Sequence, residues 1–370
     1  MTGADDIARL DLDRLTEELA DDFGTMAGKR LLITGGGGFL GYYLVQAAVH
    51  WNRQKPASER IRVTVWDNGV RGLPDWLIAL NGSPDYRFEP VDLIRPLPAQ
   101  QEPLDFVVHA AGIASPIVYR RLPLETIDAN INGLRALLEV ARRQADDGHP
   151  MGGFLFFSSS EIYGDPPANK IPTPETFRGY VSCTGPRACY DESKRFGETL
   201  CVVFAQQYGV PTRMVRPFNN YGPGLRIHDG RVLPDFARAM LAGQDIVMHS
   251  AGSPTRTFCY SADAVSGYYR VLIRGRAGEA YNIGVETPEI SMRALAESLL
   301  DIGGELFGYT GRVVLQPSAE KDYLVDNPQR RCPVITKART EVGYAPQVEL
   351  MEGLRRSLIW YAGNREAKEV

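Results

Sequence analysis

Cysteine and histidine, the usual soft metal ligands, are scarce in this 370-residue sequence. Its five cysteines contain no CxxC pair, and its five histidines contain no HxxxH or HExxH spacing. An odd number of scattered cysteines indicates a reducing, cytoplasmic setting rather than a disulfide framework. The missing ligand spacings predict that the protein holds no metal.

Long apolar runs and blocks of one charge are also missing. No run approaches the roughly 20 apolar residues that span a bilayer. The N-terminus, MTGADDIARLDLDRL, is acidic where a secretory signal would be basic and then apolar. With 41 basic against 45 acidic residues and no Lys/Arg block, the chain has no electrostatic footprint for nucleic acid or a membrane surface. We therefore expect a cytoplasmic protein with neither as a partner.

Three regions differ in composition. Residues 1–28 contain eight acidic and two basic residues among apolar side chains at near-helical spacing. They predict an amphipathic helical extension that packs on the body and turns an acidic face to solvent. Residues 29–216 alternate apolar strands with helices, which predicts an α/β fold with a Rossmann-type doubly wound parallel sheet. Residues 217–370, richer in Gly, Pro and aromatics, predict a smaller α/β substrate lobe with some segments returning to the first domain.

The predicted elements of the first domain follow from these patterns. Apolar runs predict strands at 30–34, 61–66, 104–110, 154–158 and 212–216, and helical spacing predicts helices at 39–51, 122–143 and 192–208.

A glycine-rich turn follows the first strand directly and opens a helix. Gly35, Gly38 and Gly41 form GxxGxxG, which permits a tight turn, a close approach to a pyrophosphate and helix–strand packing. Phe39 and Leu40, at the helix start, offer backbone N–H groups to phosphates. The position between strand and helix predicts a dinucleotide site.

The second strand ends at Asp67 and Asn68. A carboxylate there hydrogen-bonds both ribose hydroxyls of NAD and would repel a 2′-phosphate, so NAD is favoured over NADP. The alternative is that Asp67 only begins a turn. Four further candidates for cofactor contacts follow the third and fourth strands: Asp92, Leu93, Ala110 and Ala111.

Tyr190 and Lys194 form the one YxxxK of the sequence. They lie one helical turn apart, so the ammonium can lie near the phenol. A free tyrosine has a pKa near 10, and a nearby cation helps to lower it toward the range of a useful base. The polar run from Ser158 to Glu161 ends the preceding strand, at the sheet edge where ligands bind in such folds.

In the order and spacing of these motifs, the sequence resembles the extended short-chain dehydrogenase/reductase family. Within this family, the sequence is most similar to the sugar-nucleotide enzymes that decarboxylate UDP-glucuronic acid. The resemblance covers nearly all of residues 29–360, and the passages that carry it are 114–119, 158–166, 185–195, 216–223, 229–233, 255–258 and 326–331.

The resemblance implies a reaction. Tyr190 would take the proton of the sugar 4-hydroxyl while NAD takes hydride from C4, with Lys194 lowering the phenol pKa and holding a nicotinamide ribose hydroxyl. Ser159 would hydrogen-bond the same 4-oxygen. The 4-ketone then makes the C5 carboxylate part of a β-keto acid, which loses CO2.

The resemblance also implies substrate contacts. Glu161 and Arg256 would lie near the substrate carboxylate, with Glu161 either an acid or a group that orients the ring. Ser160 stands where similar 4,6-dehydratases carry an Asp, which disfavours dehydration. Arg256 could instead form a surface ion pair, and Tyr119 either bonds the substrate carboxylate or packs at a helix start. Asn219 and Arg231 match positions that bind the nucleotide diphosphate, whereas Arg330 and Arg331 are either nucleotide contacts or a solvated pair.

Alternatives to decarboxylation remain. The same oxidation serves a 4-epimerase or, less well, a 4,6-dehydratase, and a catalytically silent NAD-binding sensor or scaffold needs the glycine turn alone. The resemblance implies a homodimer through the helices at 122–143 and 192–208. Residues 71–84 and 181–184 differ from the usual sequence of the family at these positions. The N-terminal extension has no obvious counterpart in the family.

Overall fold

A computed structural model describes residues 3–99, 102–317 and 328–364, so residues 326 and 327 of the last quoted passage lie outside it. The strands are β1 (Arg30–Thr34), β2 (Arg62–Asp67), β3 (Tyr86–Pro90), β4 (Phe106–His109), β5 (Gly153–Phe157), β6 (Thr212–Pro217), β7 (Asn220–Tyr221), β8 (Ile246–Met248), β9 (Thr255–Arg256), β10 (Cys259–Tyr260), β11 (Glu279–Ile283), β12 (Ile290–Ser291), β13 (Val313–Leu315) and β14 (Arg330–Arg331).

The α-helices are α1 (Ala4–Glu18), α2 (Ala20–Thr25), α3 (Gly41–Asn52), α4 (Asp75–Ile78), α5 (Pro116–Arg121), α6 (Pro123–Ile127), α7 (Leu134–Asp146), α8 (Ala188–Tyr208), α9 (Val232–Leu241), α10 (Ser261–Arg274), α11 (Met292–Phe307), α12 (Thr336–Val342) and α13 (Leu350–Gly363). Short 3-10 helices lie at Ala57–Glu59, Ser160–Tyr163 and Ala168–Lys170, and a π-helical segment lies at Asp128–Gly133.

Seven parallel strands form the central sheet in the order β11-β6-β5-β4-β1-β2-β3. One apolar core lies between the sheet and the helices α3 and α10. A second apolar core lies between the opposite face of the sheet and the helices α7 and α8. The prediction of a doubly wound α/β fold is therefore confirmed. The strand order reverses between β1 and β4, which opens a cleft at the carboxyl ends of the strands, where ligands of such sheets bind.

The helix predicted at 122–143 has an internal irregularity. It is divided into α6, the π segment Asp128–Gly133 and α7. Hydrophobic spacing does not reveal one wider turn, because the apolar stripe continues on either side of it. The wider turn carries Asn130, which is fully buried beside α8.

Three small sheets build the lobe around the cleft. The parallel pair β7 and β10 lies under α13, the three-stranded sheet β12-β9-β14 follows, and β8 pairs with β13 near α9. The strand β14 brings Arg331 alongside Arg256 of β9. Two parts of the sequence that lie about 75 residues apart thus meet at the cleft.

The helices α1 and α2, here called the N-terminal brace, pack on α3, α10 and α13. Asp11 is fully buried and accepts hydrogen bonds from the Tyr43 hydroxyl at 2.5 Å, the Tyr260 hydroxyl at 2.6 Å and Arg356 Nη1 at 2.8 Å. These donors come from α3, β10 and α13, so one carboxylate joins three elements of the body.

The second buried acid of the brace is Asp22. It accepts both hydrogen bonds of the Arg274 guanidinium, at 2.6 and 2.7 Å. The prediction of a solvated acidic face is therefore wrong for Asp11 and Asp22, because partners from distant parts of the chain satisfy both carboxylates.

Among the described residues, no helix is long and apolar enough to cross a membrane.

Candidate active site

The glycine turn leaves no room for side chains where the chain folds back on itself. Gly35 has φ +72°, and a Cβ there would lie 2.6 Å from the Cα of Ala111. A Cβ on Gly41 would lie 2.1 Å from the carbonyl oxygen of Gly36. Backbone N–H groups can therefore approach a phosphate closely at the start of α3, as a dinucleotide requires.

Asp67 ties this turn to the end of β2. Its Oδ2 accepts a hydrogen bond from Gly37 N at 3.0 Å, and its Oδ1 accepts one from Gly69 N at 2.9 Å. Asn68 Oδ1 accepts a bond from Val70 N at 3.1 Å in the same turn. The carboxylate serves the local turn and also stands at the strand end where the adenosine ribose of NAD would lie, so the two interpretations of Asp67 are compatible.

The remaining cofactor candidates lie around this cleft. Backbone N–H groups of Ala110 and Ala111 donate to the carbonyl and hydroxyl oxygens of Thr34, at 3.2 and 3.4 Å. Leu93 is buried against Gly133, and Asp92 begins a turn with its Oδ1 3.3 Å from Ile94 N. Phe39 and Leu40 lead into α3. Tight glycines, the small residues opposite them and the Asp67 carboxylate fit NAD.

Tyr190 and Lys194 share the inner face of α8. Burial raises the pKa of Tyr190 to about 12. The Ser159 side chain and the positive charge of Arg231 lower this pKa, but burial outweighs them. Lys194 Nζ donates to the carbonyl oxygen of Phe157 at 2.8 Å and lies 5.8 Å from the centre of the Tyr190 ring. Burial lowers the pKa of Lys194 to about 7. Ser159 and Arg231 lower the pKa of Tyr190, and the Lys194 ammonium lies close to the same ring.

Asn130 is a polar residue of the site that the sequence analysis missed. Its Nδ2 donates to Ser193 Oγ at 2.9 Å, and its Oδ1 is buried with no hydrogen-bond partner among the described residues. A Cβ on Gly112 would lie 2.6 Å from that Oδ1 and 3.4 Å from Lys194 Nζ. The amide oxygen thus faces the lysine across a glycine. The signal for it was an Asn within the apolar pattern of the helix.

Glu161 lies between two guanidinium groups. Its oxygens accept hydrogen bonds from Arg187 Nη2 and from both terminal nitrogens of Arg331, with 2.6 Å between Arg331 Nη2 and Oε2. Burial alone would raise the pKa of this carboxyl, but Arg331 and Arg187 outweigh it and hold the pKa well below its usual range. Glu161 is therefore ionised at neutral pH.

Asp191 and Arg256 complete this group of charges. The Asp191 Oδ2 lies 3.6 Å from Arg187 Nε, and burial together with the negative charge of Glu161 raises the pKa of Asp191 well above its usual range. Arg256 Nη1 donates to the carbonyl oxygens of Thr255 and Gln329, at 2.8 and 3.1 Å. Burial and the charge of Arg331 lower the pKa of Arg256 to about 9.

The buried part of this group carries more positive than negative charge. We call it the arginine cluster: its cations are Arg187, Arg256 and Arg331, and its anions are Glu161 and Asp191, with the exposed Asp165 at its edge. Arg187 and Asp191 are residues of the site that the sequence analysis did not single out, although both lie in the passage 185–195. Arg331 is buried rather than part of a solvated pair, whereas Arg330 pairs with Glu289 at 2.6 Å.

Tyr119 connects the arginine cluster to Tyr190. Its ring stacks on the Tyr190 ring with 5.2 Å between centres and 11° between planes. It is 1% exposed, and its hydroxyl has no hydrogen-bond partner in the part of the chain that the structure describes. Burial raises its pKa, while Arg187 lowers it. A buried hydroxyl without a partner, beside the candidate base and within electrostatic reach of Arg187, is what a bound polar group could satisfy. Ser160 is also buried.

The two candidate diphosphate ligands differ in position. Asn219 has φ +41°, and its Nδ2 donates to the Thr257 carbonyl oxygen at 3.0 Å, so its amide supports the loop before β10. Arg231 precedes α9, is about one-third exposed, and lies with its guanidinium carbon 5.8 Å from the centre of the Phe39 ring. Arg231 thus borders the cofactor turn, whereas Asn219 contacts the lobe.

Comparison with known proteins extends these observations. Residues 31–284 match the NAD dependent epimerase/dehydratase family. UDP-glucuronic acid decarboxylase 5 of Arabidopsis thaliana is 36% identical over 88% of this chain and 87% of its own length, and UDP-glucuronic acid decarboxylase 1 of Xenopus tropicalis is 33% identical over 90% and 72%. The dTDP-glucose 4,6-dehydratase DesIV of Streptomyces venezuelae, solved with NAD and TYD bound, has a TM-score of 0.76 at 27% identity over 91% of this chain and 98% of its own.

Proposed function

Because the chain belongs to the NAD-dependent epimerase/dehydratase family, we propose that it is an NAD-dependent decarboxylase that acts on UDP-glucuronic acid. The relatives quoted above that share about a third of its residues carry that name. The observation that carries the proposal is the arginine cluster beside Tyr190, because its surplus of positive charge favours a sugar that bears a carboxylate.

The first step is oxidation at C4 of the sugar. Tyr190 removes the proton of the 4-hydroxyl, and Ser159, whose side chain lowers the pKa of Tyr190, shares the same oxygen. NAD held by the glycine turn and Asp67 would supply the hydride acceptor for C4 and the hydride donor for the later reduction. Lys194 holds the nicotinamide ribose from the next turn of α8. The product of this step is a 4-ketone.

The second step is loss of CO2. The 4-ketone makes the C5 carboxylate part of a β-keto acid, whose carbon–carbon bond breaks and leaves its electron pair as an enolate. The Tyr190 hydroxyl, now protonated, donates a hydrogen bond to the enolate oxygen. The arginine cluster and the unpartnered Tyr119 hydroxyl hold the carboxylate before it leaves. A proton from water at C5, the hydride returned to C4 from the reduced cofactor, and the proton returned from Tyr190 to the 4-oxygen would complete a pentose.

Glu161 acts here as a carboxylate. With its pKa held low by two guanidiniums, it does not supply the C5 proton. It keeps Arg187 and Arg331 side by side, where they meet the sugar. Ser160 next to it has no acidic proton at neutral pH, which disfavours loss of the 6-hydroxyl as water.

We also propose that the protein is a cytoplasmic homodimer. Five free cysteines, two of them not buried, suit a reducing compartment. Phe196 and Tyr208 of α8 are each 48% exposed, and α7 packs along α8, so these two helices offer an apolar face. Light scattering from the purified protein should give twice the chain mass of 40.9 kDa. A mass of one chain at micromolar concentration would contradict the dimer.

Incubation of the purified, NAD-loaded protein with UDP-glucuronate tests the function. We expect CO2 and a UDP-pentose, without lasting accumulation of NADH absorbance. Accumulated NADH with CO2 would mean that a 4-keto product leaves. A product of unchanged mass would show a 4-epimerase, and no product with full NAD occupancy would support a sensor or scaffold.

A further inference from the structure

A buried carboxylate joins two arginines that belong to different parts of the cleft. Asp229 is 5% exposed, and its Oδ2 accepts a hydrogen bond from Arg71 Nη1 at 3.1 Å. Its Oδ1 forms an ion pair with Arg231 Nε at 3.0 Å that lacks the geometry of a hydrogen bond. Arg231 is the candidate ligand of the substrate diphosphate. Arg71 lies four residues after Asp67, in the segment 71–84 that departs from the family's usual text. None of the steps proposed above uses Asp229.

A second arginine fastens the same two segments. Arg226 donates hydrogen bonds to the carbonyl oxygens of Arg71 and of Gly72, the latter at 2.7 Å. Burial and the charge of Arg71 lower the pKa of Arg226, while Asp67 and Asp229 act in the opposite direction. Arg226 is therefore within electrostatic reach of both carboxylates. The loop that follows the ribose carboxylate and the loop that carries Arg231 are held together from two sides.

The loop around Asp229 also touches the glycine turn. Gly224 has φ +91°, and a Cβ there would lie 2.8 Å from the Phe39 carbonyl oxygen and 2.4 Å from Tyr42 Cβ. The chain of the lobe thus lies directly on the start of α3. A displacement of the glycine turn or of the Arg71 loop would move Asp229, and with it Arg231.

We propose that Asp229 is a positioning residue that couples the binding of NAD to the binding of the substrate diphosphate. The proposal rests on the proposed function, in which Arg231 holds that diphosphate. The ribose on Asp67 favours one placement of the Arg71 loop, that placement holds Asp229 by an ion pair, and Asp229 orients Arg231. Both ligands favour the same arrangement, so each tightens the other, and by the same factor.

Titration of the full-length, nucleotide-free protein with NAD, with and without saturating UDP, measures this coupling. We expect UDP to tighten NAD binding by about fivefold or more in the unaltered protein, which is the lower range of measured couplings between sites. Asp229→Asn keeps the size but removes the charge, and should bring the factor to near one. Asp229→Glu restores the charge and should recover part of it.

Two further variants make the test specific. Asp235→Asn breaks a neighbouring ion pair within α9, in which Asp235 Oδ1 lies 3.1 Å from Arg238 Nη2. This control variant should leave the coupling factor unchanged. Arg71→Gln removes the other partner at a half-exposed position and should lower the factor as Asp229→Asn does, even where the latter variant folds poorly. Absence of coupling in the unaltered protein, or unaltered coupling in Asp229→Asn and Arg71→Gln, would overturn the inference. Failure of the proposed function would be recognised by a different result, namely that no CO2 is released from UDP-glucuronate.

Discussion

Tyr190 experiences opposing influences on its proton. Burial and the charges of Glu161 and Asp191 raise its pKa, whereas Ser159 and Arg231 lower it. Lys194 donates to a backbone carbonyl instead and has a lowered pKa of its own. The motif in the sequence identified the pair, but the motif alone does not show which neighbours act on the phenol, because Ser159 and Arg231 come from other elements.

Replacement of Tyr190 by Phe removes the hydroxyl to which the proposed mechanism assigns the 4-OH proton. We expect turnover of UDP-glucuronate to fall by about 10²- to 10⁴-fold, the usual worth of a positioned acid or base. NAD binding should remain, because the glycine turn and Asp67 are unchanged. Release of CO2 and the nucleotide content of the purified variant measure the two effects. Tyr180→Phe, at a 66% exposed position, is the matched control, and equal activity of both variants would refute the assigned base.

Replacement of Glu161 by Gln leaves Arg187 and Arg331 without their carboxylate. We expect the free energy of unfolding to fall by about 3–5 kcal/mol at neutral pH, as for other broken buried pairs. Because the folded-state pKa of Glu161 is depressed, its contribution is present above its unfolded pKa and is lost as the pH falls through the folded value. The difference between the unaltered protein and the variant should therefore shrink in acid.

Urea denaturation across a pH series measures this dependence. Glu17→Gln, at an exposed position of α1, should change the stability by less than about 0.5 kcal/mol. A difference for Glu161→Gln that stays constant from neutral to acid pH would contradict the assignment of a low pKa.

The arginine cluster shows what sequence reasoning reaches at this scale. Glu161 and Arg256 were identified because they lie in short sequence passages that resemble the family. Arg331, 170 residues from Glu161, was left between two interpretations, since no local pattern relates positions so far apart. Its partner is decided by the pairing of β14 with β9.

Among the elements, the turn between β1 and α3 depends most on residue size. A Cβ on Gly41 would lie 2.1 Å from the Gly36 carbonyl oxygen, so Gly41→Ala must displace the turn that is proposed to hold the pyrophosphate. We expect the purified variant to retain less than about a tenth of the bound NAD, because backbone approach to the phosphates is lost. Gly24→Ala, in α2, has nothing within 4 Å of its added Cβ and should keep its NAD. Equal NAD content in both variants would refute the role of the turn.

The elements of the first domain were largely predictable. β1 was predicted at Arg30–Thr34 and lies there, because a continuous apolar run before glycines has few other structures open to it. The π segment Asp128–Gly133 was not predicted, since one extra residue in a turn leaves the apolar stripe intact. That wider turn is also what brings Asn130 to Ser193.

At the scale of the whole molecule, the N-terminal brace joins the nucleotide-binding body to the lobe. Its packing on the body was predictable from apolar spacing, but the burial of Asp11 was not, because its three donors lie 32, 249 and 345 residues away. Acidic composition by itself suggests solvent, and only the fold supplies the partners.

Asp11→Ala tests the brace. The variant leaves the Tyr43 and Tyr260 hydroxyls and the Arg356 guanidinium without their shared acceptor. We expect the free energy of unfolding to fall by about 3–5 kcal/mol. Urea denaturation measures this loss. Asp5→Ala, exposed in the first turn of α1, should cost less than about 1 kcal/mol. Equal stability of the two variants would show that the buried carboxylate contributes nothing.

The brace has a consequence for biosynthesis. Arg274 follows Asp22 by 252 residues and Arg356 follows Asp11 by 345, so the two helices leave the ribosome well before these partners. The two carboxylates therefore wait for partners that are made hundreds of residues later, and contacts of such long sequence separation form late in folding. Until then the apolar side of α1 is uncovered in the nascent chain.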